Sequence, residues 1–567
     1  MTPQDLIAAF GTVAEAPEGT TRLRELVKQL AVEGRLLAQD PSDEVAAVLL
    51  GRVAALRAEM VEAKKVRKLK GLPAMPAVFP FVIPLGWEWA RLGDVVLSLQ
   101  NGTSKRRGKG KPTVVLRLAD ITDGELSADS LREIAMSDSD VEKYMVGAGD
   151  VLAIRVNGST DLVGRLIPVR ESRRWTYCDH LIRISLPPDI SYRYLCLAGE
   201  VREARDHFDE VMVTTAGQKT VNQTGLGSLL VPVPPLAEQH RIVARVEELM
   251  GLLDRLEAAR DAREATRVAL RDAALAALRE ADSADEVEVA WQRIAERMDD
   301  LFTDPADVEP LRQTVLQLAV RGRLVRQDAD DEPATDLVEQ AHAEKARLLA
   351  AKEIRKPKAV PELGVADSPF ELASGWTWCR LTDMALTFAY GSSSKSSKSG
   401  RVPVLRMGNL QGGEIDWTNL KYTSDREEIA KYSLSGLSVL FNRTNSPALV
   451  GKTAVYRGDR PTVYAGYLIH VREASGLNPE YLNVVLNSPM ARAWCWAIKT
   501  DGVSQSNISA SKLATFPFPL PPLPEQARIV ARVDELMGLL SRLAGQLIAV
   551  NEFHEAFANA AVRGVEA

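Results

Sequence analysis

The chain has 567 residues, of which 46% are hydrophobic and 26% are charged, a balance typical of soluble globular proteins and a length sufficient for about three or four domains. No apolar run approaches the roughly 18 residues of a membrane helix, the N-terminus does not resemble a signal peptide, and the four scattered cysteines include no CxxC pair, so we expect a cytoplasmic protein without disulfides or membrane association. The net charge of −6 argues against nucleic-acid binding over the whole surface, but local clusters of charge decide that question.

Long stretches of the chain occur twice. The segment QLAVEGRLLAQD at 29–40 returns as QLAVRGRLVRQD at 317–328. The longest copy, PPLAEQHRIVARVEELMGLLDRL, begins at residue 234 and returns from residue 521 with 19 of 23 residues identical. Repetition at a nearly constant offset predicts two copies of one structural unit.

The first clearly patterned helix begins near Ser42. Basic residues follow its apolar stripe at 64–70, where positive charge suits the C-terminal end of a helix. An N-terminal arm at 1–41 precedes this helix and matches the region 290–330. The stripe recurs in steps of three and four, as one face of an α-helix requires, through Val45, Leu49, Val53, Leu56 and Met60.

The segments 80–236 and 369–523 have a different residue pattern from the helical parts. Short runs of β-branched and aromatic residues alternate there with clusters of Gly, Asn, Asp and Ser, which predicts strands joined by turns. Each segment has a natural size for one mixed α/β domain.

Each mixed segment carries a basic loop soon after its Gly-Trp strand. The loop NGTSKRRGKGK at 101–111 has five cations and no acid, and YGSSSKSSKSGR at 390–401 has three and no acid. Small residues let the backbone approach phosphates and cations displace counterions, so we predict DNA contact; a solvated flexible loop is the alternative. The cations are Lys105, Arg106, Arg107, Lys109 and Lys111 in the first loop, and Lys395, Lys398 and Arg401 in the second.

Further polar residues occur at matched places in the two segments. Because Arg and Asn make bidentate contacts to guanine and adenine, we predict that these matched residues contact DNA. For each of them, a structural hydrogen bond within the protein is the alternative. They are Arg117 with Arg406, Arg155 with Arg443, Asn157 with Asn445, and Asn222 with Asn507, and we add Lys219 and Gln505 from the loops that hold the last pair.

The repeated segment at 234 and 521 predicts the longest helices. Glu238 and Glu525 place negative charge in the first turn, where it suits the helix dipole. A helix over 237–281 would be roughly 65 Å long; a buried helix of a compact bundle is the alternative. The second copy alternates steps of four and three, a heptad pattern typical of a coiled coil, through Ile529, Val533, Leu536, Leu540, Leu543, Leu547 and Val550.

The sequence shows no catalytic motif that we can support. SPALVGKT at 446–453 has Ser446 where a phosphate-binding loop needs glycine, and Cys178 with His180 lacks the further ligands of a zinc site. The six histidines have no counterparts between the copies, whereas duplicated active sites should keep their base. A stand-alone methyltransferase or nuclease, and a structural adaptor that touches no DNA, remain as alternatives.

The segments PVPPLAEQHRIVARVEEL and PLPPLPEQARIVARVDEL, each closing a mixed segment and opening a long helix, resemble the specificity subunits of type I restriction-modification systems. The resemblance implies an α/β (α+β) chain in which two pseudo-symmetric target recognition domains are joined by long antiparallel coiled-coil helices. It implies a helical region at 1–79, recognition domains at 80–236 and 369–523, a central helical spacer at 237–368 and a C-terminal helix at 524–567. Helices at 237–281 and 333–356 would pair as a central ruler, and those at 42–67 and 525–557 as a distal one.

The same resemblance implies a division of labour. Each recognition domain would read one half of a bipartite site in double-stranded DNA, and the helices would set the unread spacer. Two methylation subunits would modify adenine N6 with S-adenosylmethionine, and restriction subunits would use ATP and Mg²⁺, while this chain would be non-catalytic and hold no cofactor. We expect the arm at 1–41 and its copy to dock the methylation subunits.

Overall fold

The computed structural model of the protein describes residues 11–566 except 12, 17, 68–70, 106–107, 130, 172, 216, 365–366 and 504. The chain forms two compact units. Unit 1 contains the described residues up to Ala262 and those from Glu552, and unit 2 contains Arg263–Asn551. Each unit combines a mixed domain with helices packed against it.

The mixed domain of unit 1 contains a four-stranded antiparallel sheet in the order Ser98–Asn101, Leu181–Ser185, Val151–Ile154 and Leu166–Pro168. Two three-stranded sheets have the orders Thr176–Tyr177, Lys111–Leu116, Glu133–Met136 and Val213–Thr215, Gln218–Thr220, Val156–Asn157. Two-stranded pairs join Glu88–Arg91 to Leu230–Val233 and Ile121–Thr122 to Glu125–Leu126.

The mixed domain of unit 2 repeats this strand order. Its four-stranded sheet runs Ala385–Tyr390, Leu468–Glu473, Ser438–Asn442 and Thr453–Tyr456. Its three-stranded sheets run Lys421–Thr423, Val402–Leu405, Val463–Tyr464 and Thr444–Asn445, Ser506–Asn507, Thr500–Asp501. Its pairs are Thr377–Arg380 with Pro517–Leu520 and Leu410–Gln411 with Glu414–Ile415.

The centre of each mixed domain is covered on both sides. Every residue of the strands Val151–Ile154 and Ser438–Asn442 is buried. Strands buried on both faces have nearly continuous apolar runs instead of alternation, which is the pattern of VLAI in the first copy. The two halves of the chain therefore build the same core from different residues.

The shorter helices also follow the repeat. In unit 1 they are Gly19–Val32, Ala46–Glu62, Leu92–Val95, Asp138–Tyr144, Tyr192–Ala198, Arg202–Val211 and Gln223–Gly227. In unit 2 they are Ala284–Ala295, Met298–Leu301, Val308–Val320, Ala334–Ala350, Leu381–Met384, Arg426–Tyr432, Pro479–Leu486, Pro489–Ile498 and Ala510–Leu513. Single 3₁₀ turns occur at Leu118–Asp120, Thr160–Leu162, Pro305–Asp307 and Met407–Asn409.

Two helices are much longer. The first long helix, Leu236–Glu280, has 45 residues, and the second long helix, Leu523–Glu566, has 44. The first begins in unit 1 and ends in unit 2, and the second begins in unit 2 and ends in unit 1. The prediction of a mixed α/β (α+β) chain with two pseudo-symmetric domains joined by long helices of opposite sense is confirmed.

The heptad stripe of the second long helix is buried over its first half. Ile529 and Leu540 are 0% and 1% exposed, but Val550 is 47% exposed. The apolar seam that the sequence predicted therefore ends before Val550. Val550, the last residue of the stripe, is not covered by the described residues of unit 2.

The repeated Glu-Gln pair in the first turn of the first long helix is buried and accepts hydrogen bonds from three separate parts of unit 1; we call it the hub of the unit. The carboxylate of Glu238 accepts hydrogen bonds from the indole nitrogen of Trp87 at 2.9 Å and from the amide of Gln39 at 3.0 Å. The side-chain oxygen of Gln239 accepts from the backbone nitrogen of Ser191 at 2.8 Å. One helix start thus holds the arm, the opening strand and a helix of the mixed domain.

The hub of unit 2, formed by Glu525 and Gln526, makes the same set of hydrogen bonds. Glu525 accepts from Trp376 and from Gln327, both at 3.0 Å, and Gln526 accepts from the backbone nitrogen of Asn478 at 2.8 Å. A buried carboxylate is costly unless it is hydrogen-bonded, so partners and acid must occur together. The helix start is repeated because each unit needs its own hub.

The arm helices cover the long helices. In Gly19–Val32 the apolar face, with Leu23 and Leu30, is buried, and Arg24 reaches Asp254 of the first long helix at 2.6 Å. In unit 2 Arg267, on the later part of the first long helix, donates at 2.7 Å to Asp307, the N-cap of the helix Val308–Val320. The apolar faces of the helices Gly19–Val32 and Val308–Val320 are thus buried inside their own units.

The predicted partner of the segment 333–356 is wrong. The helix observed there, Ala334–Ala350, packs on its own mixed domain through Leu337, Ala341 and Leu348. The ammonium of Lys345 donates to the carbonyl oxygen of Thr382. Several helices of the chain have similar apolar stripes, so the stripe of this helix alone does not identify the surface on which the helix packs.

Candidate nucleic-acid interface

The two basic loops leave the sheet through the same backbone framework. A Cβ atom on Gly102 would lie 2.1 Å from the carbonyl oxygen of Cys178, and one on Gly391 would lie 2.3 Å from that of Tyr464. Only glycine fits such an approach. The framework of the loops is therefore shared, although their basic residues differ.

A hydroxyl turn follows each of these glycines. The buried hydroxyl of Thr103 accepts a hydrogen bond from the backbone nitrogen of Lys105 at 3.2 Å. The buried hydroxyl of Ser392 accepts from the backbone nitrogen of Ser394 at 3.1 Å. Ser and Thr favour this local turn, which directs both loops away from the sheet in the same way.

The loop of unit 1 is partly neutralised by acids. Lys105 pairs with Asp140 at 2.7 Å and Lys111 with Asp138 at 3.8 Å, and the hydrogen bond from Lys105 lowers the pKa of Asp140. Lys109 is exposed. Arg106 and Arg107 lie outside the described residues.

The loop of unit 2 presents its cations more openly. Lys395, Lys398 and Arg401 are exposed. No acid lies within ion-pair distance of these three in the part of the chain that the structure describes. With small serines between the cations, this surface suits an extended anion such as a DNA backbone.

A small sheet beside each loop brings a second group of predicted residues together. In unit 1 Lys219 lies opposite Asn157 across two paired strands, and Arg155 directly precedes the strand that contains Asn157. In unit 2 Asn445 and Asn507 lie on paired strands, and Arg443 directly precedes them. The exposed Gln505 precedes Asn507 by two residues.

In unit 2 this sheet and the basic loop meet at one arginine. Arg443 donates to the side-chain oxygen of Asn507 at 3.0 Å, and its guanidinium lies 4.6 Å from the ring centroid of Tyr390, the first residue of the loop. Asn507 in turn donates to the hydroxyl of Thr444 at 2.8 Å. The network holds the loop and the sheet as one surface.

Arg155 and Arg443 share a further property. Both guanidinium groups are held by hydrogen bonds: Arg155 donates to the carbonyl oxygen of Asp179 at 2.9 Å, and Arg443 donates to Asn507 and, at 3.4 Å, to the carbonyl oxygen of Gly466. Their Nε atoms are buried without a hydrogen-bond partner among the described residues. Tyr390 covers Arg443, although its side chain was not among the predicted DNA contacts. Its position at the start of the basic loop could have indicated this role.

Other predicted residues serve local structure. Arg117 pairs with Asp120 at 2.9 Å across a 3₁₀ turn. The backbone nitrogen of Arg406 donates to Asn409 at 3.0 Å across the matching turn, and its side chain donates to the carbonyl oxygen of Asn419 at 2.7 Å. The structure does not place them in the group around Arg155 and Arg443. Their contact with DNA stays a prediction.

The match of Asn222 with Asn507 is wrong. Asn222 caps the helix Gln223–Gly227, and Ser509 caps the matching helix of unit 2. Asn507 lies instead in a strand, where Thr220 lies in unit 1. Asparagine is favoured both at helix caps and in turns, so the residue type alone did not separate the two roles.

The phosphate-loop resemblance at 446–453 also fails on topology. Thr453 begins the strand Thr453–Tyr456, whereas a phosphate loop opens a helix. Among the described residues, no three His, Cys, Asp or Glu side chains come together as metal ligands. None of the described helices is both long and apolar enough to span a membrane.

Comparison with known proteins decides the family. Residues 373–551 match the family model of the type I restriction modification DNA specificity domain. The chain is 31% identical over 556 residues to the specificity subunit of the type I restriction enzyme EcoAI from Escherichia coli, which covers 93% of this chain and 90% of that subunit. The chain belongs to the family of type I restriction enzyme specificity subunits.

A second relative agrees over the same extent. The specificity subunit of the type I restriction enzyme EcoEI from Escherichia coli is 28% identical over 549 residues, covering 93% of this specificity subunit and 91% of that one. Among solved structures, the HsdS subunit from Thermoanaerobacter tengcongensis matches with 19% identity and a TM-score of 0.42, over 86% of this chain and 98% of that chain. The predicted family and its role in recognising DNA sequence are confirmed.

Proposed function

We propose that each mixed domain of this specificity subunit reads one half of a bipartite site in double-stranded DNA. The reading surface in each unit would combine the basic loop with the neighbouring three-stranded sheet. Cations of the loop would meet phosphates, and Arg and Asn side chains at the sheet would meet base edges.

This proposal is supported by a backbone framework that the two mixed domains share and by side chains that differ between them. Gly102 and Gly391 occupy matched positions where only glycine fits, while the loops that follow them carry different residues. At the sheet, Thr220 of unit 1 takes the place of Asn507. Two readers of different base sequences need the same scaffold and different side chains.

The long helices would set the distance between the half-sites. A helix that begins in one unit and ends in the other has a length fixed by its residue count, at about 1.5 Å per residue. The unread spacer of the DNA site would therefore follow the length of these helices.

Catalysis would belong to partner subunits. We propose that two methylation subunits, which bind S-adenosylmethionine and modify adenine N6, and restriction subunits, which use ATP and Mg²⁺, assemble on this chain. The relatives of the chain are named as specificity subunits, which supports a role in choosing the site and not in the chemistry.

Methylome sequencing tests the proposal. Cells that express the chain together with an adenine methyltransferase partner should gain methylated adenine in a bipartite motif with a fixed spacer, and cells with either protein alone should not. Methylation by the chain alone would indicate an enzyme. No change in the methylome despite co-purification with the partner would indicate an adaptor that reads no DNA.

A further inference from the structure

The helix Pro489–Ile498 of unit 2 carries an exposed tryptophan. Trp496 is 61% exposed, and among the described residues no other tryptophan is in the exposed class. The ammonium of Lys499 lies 4.5 Å from its ring centroid. Leaving so large an apolar ring in water is unfavourable.

The packing of the helix does not need this ring. Cys495 and Ala491, on the inner face, are 3% and 0% exposed. In the matching helix of unit 1, Arg202–Val211, Phe208 and Ala204 fill the same inner positions. The inner face alone is sufficient to hold the helix on its domain.

The outer faces of the two helices differ in kind. Asp209 and Met212 of unit 1 take the positions of Trp496 and Lys499. Yet the inner framework is kept: Arg205 donates to the carbonyl oxygen of Asp161 at 3.3 Å in unit 1. In unit 2 Arg492 makes the corresponding bond, at 2.8 Å, to the carbonyl oxygen of Ala448. The aromatic ring is therefore an addition to unit 2 only.

Trp496 lines a cleft of about 300 Å³ with Pro447, Ala448, Val450 and Arg492. The walls of the cleft are mostly apolar, and Arg492 holds its loop through the carbonyl oxygen of Ala448. A planar apolar group could enter between the ring and this loop.

Two cations, Lys452 and Arg492, lie at the cleft side of the ring, while Lys499 over the ring is paired with Asp501 at 2.7 Å. Lys452 bonds the side-chain oxygen of Gln411 at 2.8 Å, and burial together with the nearby charge of Arg492 lowers the pKa of Lys452. No carboxylate pairs with Lys452 or Arg492 in the described parts of the chain. Arg492 lines the cleft with the aromatic ring, and Lys452 lies near Arg492. Such a combination of cations and a ring matches the chemistry of a nucleic acid, which combines phosphates with flat bases.

The cleft borders the reading surface of unit 2. The loop that contains Pro447 and Ala448 begins directly after Asn445, and Lys499 leads directly into the edge strand Thr500–Asp501 of the same small sheet. A duplex on this sheet would pass the cleft within a few residues of Asn445.

We propose that Trp496, with Lys452 and Arg492, forms an additional contact to the duplex bound by unit 2, in which the ring packs on a sugar or base at the groove edge and the cations meet the adjacent phosphate. This inference rests on the proposed function. Unit 1 has Asp209 in the place of the ring, so the half-site of unit 2 is held more tightly.

The test uses the full chain assembled with its methylation subunits, and DNA duplexes that carry the site defined by methylome sequencing. Trp496→Ala should weaken binding about tenfold, the range of one aromatic–base contact, and Trp496→Phe should restore much of it. Lys452→Ala should lower the salt slope of binding by about one. The matched control Asp209→Ala should not weaken binding.

A duplex with one half-site scrambled separates the two units. The effect of Trp496→Ala should persist when the half read by unit 1 is scrambled and disappear when the half read by unit 2 is scrambled. Wild-type affinity of Trp496→Ala on every duplex, or a defect only in recovery of methylation subunits, would overturn this inference and leave the proposed function intact. Absence of site-specific binding by the wild-type complex would instead overturn the proposed function.

Discussion

The indole nitrogen of Trp376 donates a hydrogen bond of 3.0 Å to the carboxylate of Glu525. Both residues are buried, and burial raises the pKa of Glu525. Trp87 makes the same bond to Glu238 at 2.9 Å. In each unit this bond joins the opening of the mixed domain to the head of a long helix, so it links the reading surface to the helical frame.

Trp376→Phe should destabilise the protein by about 1–3 kcal/mol, because it removes the donor and leaves part of a buried carboxylate without its partner. Urea unfolding followed by circular dichroism measures this loss. Trp378→Phe is the matched control, since the ring of Trp378 lies on Phe370 at 5.0 Å and an aromatic replacement keeps that contact. Equal losses in the two variants would contradict a specific role for the hydrogen bond.

Glu473 should make the stability depend on pH. Burial raises its pKa from 4.5 to about 7, and one of its oxygens has no partner among the described residues. Because the folded pKa lies above the unfolded one, folding favours the neutral acid. Its ionisation therefore costs stability as the pH rises from about 4.5 to about 7, and nothing further changes above that window.

Glu473→Gln should remove this dependence and make the protein about 1–3 kcal/mol more stable than wild type at pH 8, with little difference at pH 4.5. Unfolding free energies from urea titrations across this range measure the effect. The exposed Glu371→Gln is the control. Parallel pH profiles of wild type and Glu473→Gln would rule out the raised pKa.

Gly391→Ala should displace the basic loop of unit 2, because the new methyl group would lie 2.3 Å from the carbonyl oxygen of Tyr464. We expect a loss of about 2–3 kcal/mol in stability and weaker DNA binding. Gly408→Ala is the control, since nothing lies within 4 Å of a Cβ there. If both variants unfold at the same urea concentration, the close approach does not constrain the loop.

The basic loops should contribute differently to the salt dependence of DNA binding. Replacing Lys395, Lys398 and Arg401 with Ala should reduce the salt slope by up to about three, because each phosphate contact contributes about 0.9. Replacing Lys105, Arg106 and Arg107 should reduce it less, since Lys105 already pairs with Asp140. Binding titrations at several salt concentrations measure both slopes. An unchanged slope would exclude the corresponding loop from the interface.

Much of the fold could be predicted because it depends on local patterns. The heptad spacing from Ile529 to Leu540 and the caps around it identify a long helix without knowledge of its partner. The repeat then predicts the second copy of every element. The partner of Ala334–Ala350 could not be predicted, because an apolar stripe shows that a face is buried but not which surface covers it.

The candidate site was less predictable for a similar reason. The basic loops stand out by composition, and their shared glycines mark a shared framework. The roles of Asn222 and Arg117 depend on which backbone groups lie beside them, which only the folded chain shows. Trp496 was missed because nothing in its sequence context distinguishes an outward ring from the inward Trp494 two residues earlier.

The central claim is that each mixed domain reads its own half of the DNA site. The most direct measurement is the methylome of cells that carry the methylation partner and a chain in which 80–236 is replaced by the corresponding segment of another specificity subunit. We predict that one half of the methylated motif changes while the other half stays the same. An unchanged motif, or one altered in both halves, would contradict the claim.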